Sequence, residues 1–293
     1  MIRFASIAVL ATIAASPVPS LAQGLPLPPN PNIIVDYIEP RAPDDPQDKD
    51  YAKDMAAYQR EMKIYQRLKQ RQVLEELSAF LSPLKLPRTL RVRTKSCGVV
   101  NAFYEPPEWT VNMCYEWIDA TEQMAPQTTS PEGFTRQEVI VGGFVGVILH
   151  ELGHAVSDLY SLPVLGREED SADQISGFVM QQFGKDVART AIKGMAYVWL
   201  NYARQGSPAY WDVHSTPGQR FYNFLCIGYG GDPATFQDQV DKWLSKDRVV
   251  SCPHEYQQVK NAFVKTILPH IDQELMKKVQ AAKWLRPDDG KWD

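Results

Sequence analysis

Residues 139–160 read VIVGGFVGVILHELGHAVSDLY. The segment is long enough for about six turns of helix, and a helix this apolar is buried on most of its faces. Yet His150, Glu151 and His154 sit inside it. Burying three ionisable groups is costly unless they are paired or bound to an ion. Whatever fold the chain adopts must wrap this helix in apolar neighbours and still give three polar side chains something to hold.

On a helix, residues four apart lie on one face, one turn from each other. The imidazoles of His150 and His154 can therefore reach a single metal ion, with Glu151 beside them. Zinc takes neutral imidazole and carboxylate donors in a tetrahedron and can keep one position for water. It lowers the pKa of that water, and a neighbouring glutamate can take the proton. Gly153 removes a side chain and lets another element come close. A third protein donor is expected from the next helix, because SLPVLG, with Pro163 and Gly166, turns the chain back. Glu168, Glu169, Asp170 and Asp173 are the candidates. Glu169 and Asp173 share a helical face, so Glu169 could ligate while Asp173 holds a ligand histidine from behind. Glu168 is the main competitor for the ligand role, and a merely acidic helix start is the bland alternative.

The N-terminus, MIRFASIAVLATIAASPVPSLAQ, has one early positive charge, a short apolar run and a small-residue site ending at Ala22. It reads as a signal peptide over 1–22, with a periplasmic or secreted product and no stable membrane insertion after cleavage. Four cysteines suit that compartment. Cys97, Cys114, Cys226 and Cys252 allow three pairings; the local one, Cys97 with Cys114 and Cys226 with Cys252, is the simplest. A net charge of −4 gives no reason to expect nucleic acid.

Residues 23–48 hold seven prolines and read as a linker or surface-draped arm. Beyond it, residues 49–293 read as one domain. Tyr51, Met55, Tyr58, Met62 and Tyr65 begin one long amphipathic helix that runs to the SPLKLP segment. Leu90, Val92 and the run from Val99 to Tyr104 suggest strands, EPPE a turn, and WTVNMCY the returning strand. Helices are expected near 135–160, 168–183, 185–204, 218–228, 234–245 and 253–279, with Tyr222 and Tyr229 in the core. The fold class is α+β: mainly helical, with a small sheet or hairpin beside the His150 helix.

HELGH followed by EDSAD resembles the His-Glu-x-x-His … Glu-x-x-Ala-Asp signature of the gluzincin metallopeptidases, which include thermolysin-like and Ste24/HtpX-like enzymes. NAFY at 101–104 is similar to the edge strand on which such enzymes lay an extended substrate. HSTPGQR at 214–220 resembles a His-Pro-x-x-x-x-Arg segment of the Ste24/HtpX group, with Ser215 in place of the proline. The region from about 70 to 272 also resembles a bacterial family of metallopeptidase-like proteins of unknown function, through CGVVNAFYEP, CYE, HELGHAVSDLYSLPVLGREEDSADQ, RFYNFLCIGYG and CPHEY. The resemblance implies a zincin-like fold, one zinc ion held by His150, His154 and Glu169, Glu151 as general base, and a peptide or protein substrate met by Asn101 and Ala102.

His214 could donate to a developing oxyanion or simply cap backbone groups in its loop. Arg220 could hold His214, an acid or a substrate carboxylate, or form a structural salt bridge. A rival to the peptidase reading is a scaffold or binding protein of the cell envelope in which zinc is structural. Such a site usually has four protein donors, with His214 or Asp173 as the fourth. Glu151 argues against it, since a structural site has no use for a general base.

Overall fold

The computed structural model describes residues 25–284 apart from Pro208. The expected signal peptide lies outside the described residues. The chain forms a mainly helical α+β fold around one four-stranded sheet.

The sheet has the order β1-β2-β4-β3. Strand β1 (Ile33–Tyr37) pairs parallel with β2 (Leu90–Lys95), and β2 pairs parallel with β4 (Thr110–Cys114). Strand β3 (Ala102–Glu105) pairs antiparallel with β4 and forms an edge. The β3–β4 connection is the expected turn at Pro106–Glu108, followed by Trp109 in the left-handed region. Along β2, Leu90, Val92 and Thr94 are buried while Arg91, Arg93 and Lys95 are half-buried, the period of two of a strand with one face in a core. The Pro-rich segment supplies β1, so part of the extended arm is a strand of the sheet.

Helices α1 (Tyr51–Gln70) and α2 (Val73–Phe80) replace the single long helix expected there. Gln72 adopts φ 54°, a left-handed conformation that no continuous helix accommodates. Helix α3 (Tyr115–Met124) follows β4, and α4 (Arg136–Leu159) is the helix that holds His150. A capping box starts α4: Thr135 accepts from the Glu138 N–H, and Glu138 accepts from the Thr135 N–H. Helix α4 is long and apolar enough to cross a membrane, but here it is a core helix with nearly all of that stretch buried. It packs against α3, α5 (Glu168–Met180), α6 (Lys185–Gln205) and the β3–β4 hairpin.

Glycine makes the α4–α6 crossing close. A Cβ on Gly194 would fall 1.6 Å from the Glu138 carbonyl oxygen, and one on Gly142 would fall 2.5 Å from the Ala191 carbonyl oxygen. Lys193, buried beside this crossing, donates to Glu138 at 2.7 Å.

The remaining helices are α7 (Pro217–Gly231), the short α8 (Pro233–Phe236), α9 (Lys246–Thr266) and α10 (Gln273–Ala281). Two helical expectations change here. The stretch expected at 234–245 shrinks to one turn, because Asp241 is left-handed and the chain reverses there. The helix expected over 253–279 starts earlier, where Ser245 caps Arg248, and breaks at Leu268–His270, where Pro269 has no N–H to continue it. Tyr222, expected in the core, is exposed, because α7 turns Phe221, Phe224 and Leu225 inward instead. The cysteines pair locally, Cys97 with Cys114 across the hairpin base and Cys226 with Cys252 between α7 and α9. Two disulfides fit an oxidising compartment.

Candidate metal centre

Helix α5 returns beside α4 in the opposite direction. Ser176 Oγ donates to the Gly146 carbonyl at 2.8 Å, and Gly153 faces Ala172, where an added Cβ would lie 3.1 Å from the Ala172 Cα. This close approach brings the acidic start of α5 to the two histidines.

His150 Nε2 lies 3.1 Å from Glu169 Oε2, His154 Nε2 lies 3.2 Å from the same oxygen, and the two Nε2 atoms are 3.2 Å apart. A tetrahedral ion with donors about 2.0–2.1 Å away holds them about 3.3 Å apart. The triangle therefore has the size of a zinc site's face. His214, carried on the loop between α6 and α7, brings its Nε2 to 2.9 Å from Glu169 Oε2. The donor atoms of His150, Glu169 and His214 lie within 4.8 Å of one another.

The outer nitrogens explain why the inner ones converge. His150 Nδ1 lies 2.8 Å from Asp173 Oδ1, His154 Nδ1 lies 2.9 Å from Glu168 Oε1, and His214 Nδ1 lies 2.8 Å from Asp212 Oδ1. A carboxylate only accepts, so each Nδ1 donates to its own acid, and in the neutral form of each imidazole the Nε2 lone pair faces inward. Three lone pairs then face one carboxylate oxygen. Such a set is stable only if protons or a cation fill its centre, which is the donor chemistry of a metal site.

The electrostatics agree. Burial opposes a charge on His150 and His154, but the carboxylates around them win. His150 is raised by Asp173 and Glu169, and His154 is pushed up to about 9 by Glu169 and Glu168. Burial favours the protonated form of Glu169, yet its three imidazole partners hold it far below the usual carboxylate range. Burial likewise opposes the charge of Asp173, and Arg220 overrides it. Glu151 goes the other way: burial dominates and raises its pKa, moderated by the two histidines and by a backbone hydrogen bond with Tyr104.

Asn101 and Ala102 lie at the β3 edge, in the wall of a cavity of about 1260 Å³ that contains the cluster and Glu151. On the N-terminal side of His150, Val147, Trp117, Trp199 and Tyr202 line the same cavity. Tyr104 Oη donates to Asp158 at 2.7 Å and so ties β3 to the last turn of α4.

Arg220, for which the sequence leaves open an acid, His214, a substrate carboxylate and a structural salt bridge, is buried. Its guanidinium donates to both oxygens of Asp173, at 2.7 and 2.6 Å, and stacks on Trp199 at 3.6 Å. Its reach is spent on the acid behind His150. Glu168, the alternative third donor, sits on the outer nitrogen of His154 and not at the centre. Asp170 pairs with Arg167 and accepts from Ser215, while Arg167 donates to the His214 carbonyl. These contacts anchor the His214 loop to α5. Asp212, Glu168 in its outer position and Tyr104 were not singled out from sequence. For Asp212 a local signal existed: an aspartate two residues before a histidine can bind that residue's N–H and side chain, as Asp212 does. Among the described residues, the grouping of Cys97, Cys114 and Glu116 is no metal site, because both sulfurs are spent in a disulfide.

Neither the curated proteins nor the solved structures include a match to the chain. The profile of the family DUF4344, described as "Putative metallopeptidase", matches residues 53–267, from α1 to the end of α9 and with every member of the cluster inside. That description implies a metal ion and peptidase chemistry. Matched over more than two thirds of its length, the chain belongs to this metallopeptidase family.

Proposed function

We propose that the protein is an exported zinc-dependent endopeptidase, periplasmic or secreted, acting on extended peptide segments. The observation that carries this reading is the convergence of the His150, His154 and His214 Nε2 atoms on Glu169 Oε2, each imidazole held from behind by its own carboxylate. His150, His154 and Glu169 would hold one zinc ion, which when bound supplies Lewis acidity and a nucleophilic water at neutral pH.

The chain's own residues divide the rest of the work. Glu151 lies in the cavity with its carboxyl raised by burial, so it suits both taking a proton from the attacking water and passing it to the leaving nitrogen. The outer edge of β3 begins at Ala102, where an extended substrate could add as a strand, with Asn101 in the adjoining cavity wall and its carbonyl already accepting from the Cys114 N–H. Tyr104 holds that edge to α4 through Asp158 and to Glu151 through its backbone, which sets the distance between substrate and base. During turnover His214 is placed to donate to the carbonyl oxygen that gains charge. Its pKa is raised first by Glu169, against burial and with help from Asp212.

Elemental analysis of the purified protein is expected to give one zinc per chain. Glu151→Gln should keep the zinc and the fold while lowering peptide hydrolysis by at least about 10²-fold. One observation favours the rival scaffold reading: four donor residues meet at the centre. That reading wins if Glu151→Gln leaves every detectable hydrolysis unchanged. A wild-type protein without stoichiometric metal would end both.

A further inference from the structure

We infer that His214 is a fourth, displaceable metal donor, which closes the centre when no substrate is bound and leaves it when one arrives. This rests on the zinc reading above and extends it to the resting state of the same site.

Three observations point to it. His214 Nε2 is at least as close to Glu169 Oε2, at 2.9 Å, as are the Nε2 atoms of His150 and His154, at 3.1 and 3.2 Å. Its Nδ1 is bound to Asp212, the same arrangement that turns the lone pairs of His150 and His154 inward. A histidine whose only task was to donate to substrate would have no reason to press on the metal-binding carboxylate. Thirdly, the three imidazoles differ in how firmly they are held. Side-chain exposure is 4% for His150, 14% for His154 and 39% for His214. The first two stand on a buried helix, and the third hangs from a loop into an open cavity.

The loop is built so that the ring can leave without the backbone following. Arg167 donates to the His214 carbonyl and to Ser215 Oγ, and Ser215 in turn donates to Asp170. Next door, Thr216 caps α7. The main chain at 214–216 is therefore pinned at several points. The imidazole is joined to it only through its own side-chain bonds, and its outer partner Asp212 lies in the same loop and is half exposed. Rotation of the side chain would free one position at the centre. It would also leave the ring in the cavity, near the carbonyl oxygen of a substrate lying on the β3 edge. Off the ion, its Nε2 takes a proton from solvent in the open cavity, so one residue serves two stages: lone-pair donor to the ion at rest, hydrogen-bond donor to substrate during turnover.

X-ray absorption spectroscopy at the zinc edge counts imidazole ligands directly and needs no activity. The zinc-loaded wild type is expected to show three imidazoles, and His214→Ala and His214→Gln two. Both variants should raise the zinc Kd by roughly tenfold or more, by analogy with the loss seen when even outer partners of metal ligands are removed. Adding acetohydroxamate, a small bidentate zinc binder, to the wild type should lower the count from three to two. Two imidazoles in the substrate-free wild type would overturn the inference and leave the zinc reading intact. Three that persist under saturating acetohydroxamate would show a permanently closed centre and overturn displacement. Absence of bound zinc would instead defeat the reading on which the inference stands.

Discussion

At the scale of single residues, the site is a lesson in what stands behind a ligand. Asp173 lies behind His150: it accepts from His150 and from two nitrogens of Arg220, and Arg220 in turn lies on Trp199. Asp173 and Arg220 have side-chain exposures of 11% and 7%, so neither charge can fall back on water. Removing one partner of a buried pair strands the other, typically at a cost of about 3–5 kcal/mol. Asp173→Asn keeps the shape and deletes the charge. It should lower the unfolding free energy by an amount of that order and weaken zinc binding about 10- to 100-fold, since His150 and Arg220 are left to share one uncharged acceptor oxygen. Chemical denaturation and zinc competition measure the two effects separately; unchanged values in both would show that Asp173 is a bystander. Much of this was legible beforehand, because helical spacing alone puts His150 with His154 and Glu169 with Asp173. Asp212 and Glu168 were not, because their roles depend on where a loop closes and which side of an imidazole faces out. Arg220 was visible as a charge, but only the fold shows that its partner is Asp173.

At the scale of elements, the active helix is positioned by close backbone contact on one side and by a pinned hairpin on the other. Gly194 permits the α4–α6 crossing: a methyl there would meet the Glu138 carbonyl, a backbone atom that cannot swing aside. Elsewhere in a helix, Gly→Ala gains up to about 1 kcal/mol. Here overpacking should reverse the sign, with Gly194→Ala losing about 1–3 kcal/mol. Gly206→Ala is the control, since nothing lies within 4 Å of its added Cβ. Equal thermal midpoints for the two variants would contradict the packing argument. On the other side, the Cys97–Cys114 disulfide closes a loop of 17 residues at the base of the hairpin. By the chain-entropy estimate it contributes about 3 kcal/mol. Replacing both cysteines with serine should remove that stability and weaken peptide binding at the β3 edge, while zinc content stays near normal because the donors stand on α4 and α5. Loss of zinc in that variant would mean that the hairpin also shapes the metal centre. The same contrast governs legibility. Helices α4 to α6 are readable because apolar periodicity and flanking turns agree. The break at Gln72 and the pairing of β1 with β2 are not, since a single left-handed residue and a non-local parallel register leave little mark on a sequence.

At the scale of the whole molecule, the metal would act as a further cross-link between α4, α5 and the loop before α7. The donors come from α4, α5 and the loop before α7, and the loop is further tied to α5 by Arg167 and Asp170. Without an ion, like lone pairs face each other at the centre unless protons fill it, so metal binding and folding would be coupled. A ligand that binds only the folded state stabilises it by about 2.7 kcal/mol when its free concentration is a hundred times its Kd. For a domain of this size each kcal/mol moves the midpoint by roughly 2–4 °C. Zinc at that excess should therefore raise the thermal midpoint of metal-free protein by roughly 5–10 °C, and a chelator should reverse the shift. The effect should also depend on pH with a definite sign. Zinc needs unprotonated imidazoles, and without an ion His154 is pushed up to about 9, so protons compete with zinc and the zinc-induced shift should shrink as pH falls below about 9. Differential scanning calorimetry with and without zinc at several pH values tests this. A midpoint indifferent to zinc at neutral pH, or a zinc shift that grows on acidification, would show that the cluster of His150, His154, Glu169 and His214 is held together by protons alone.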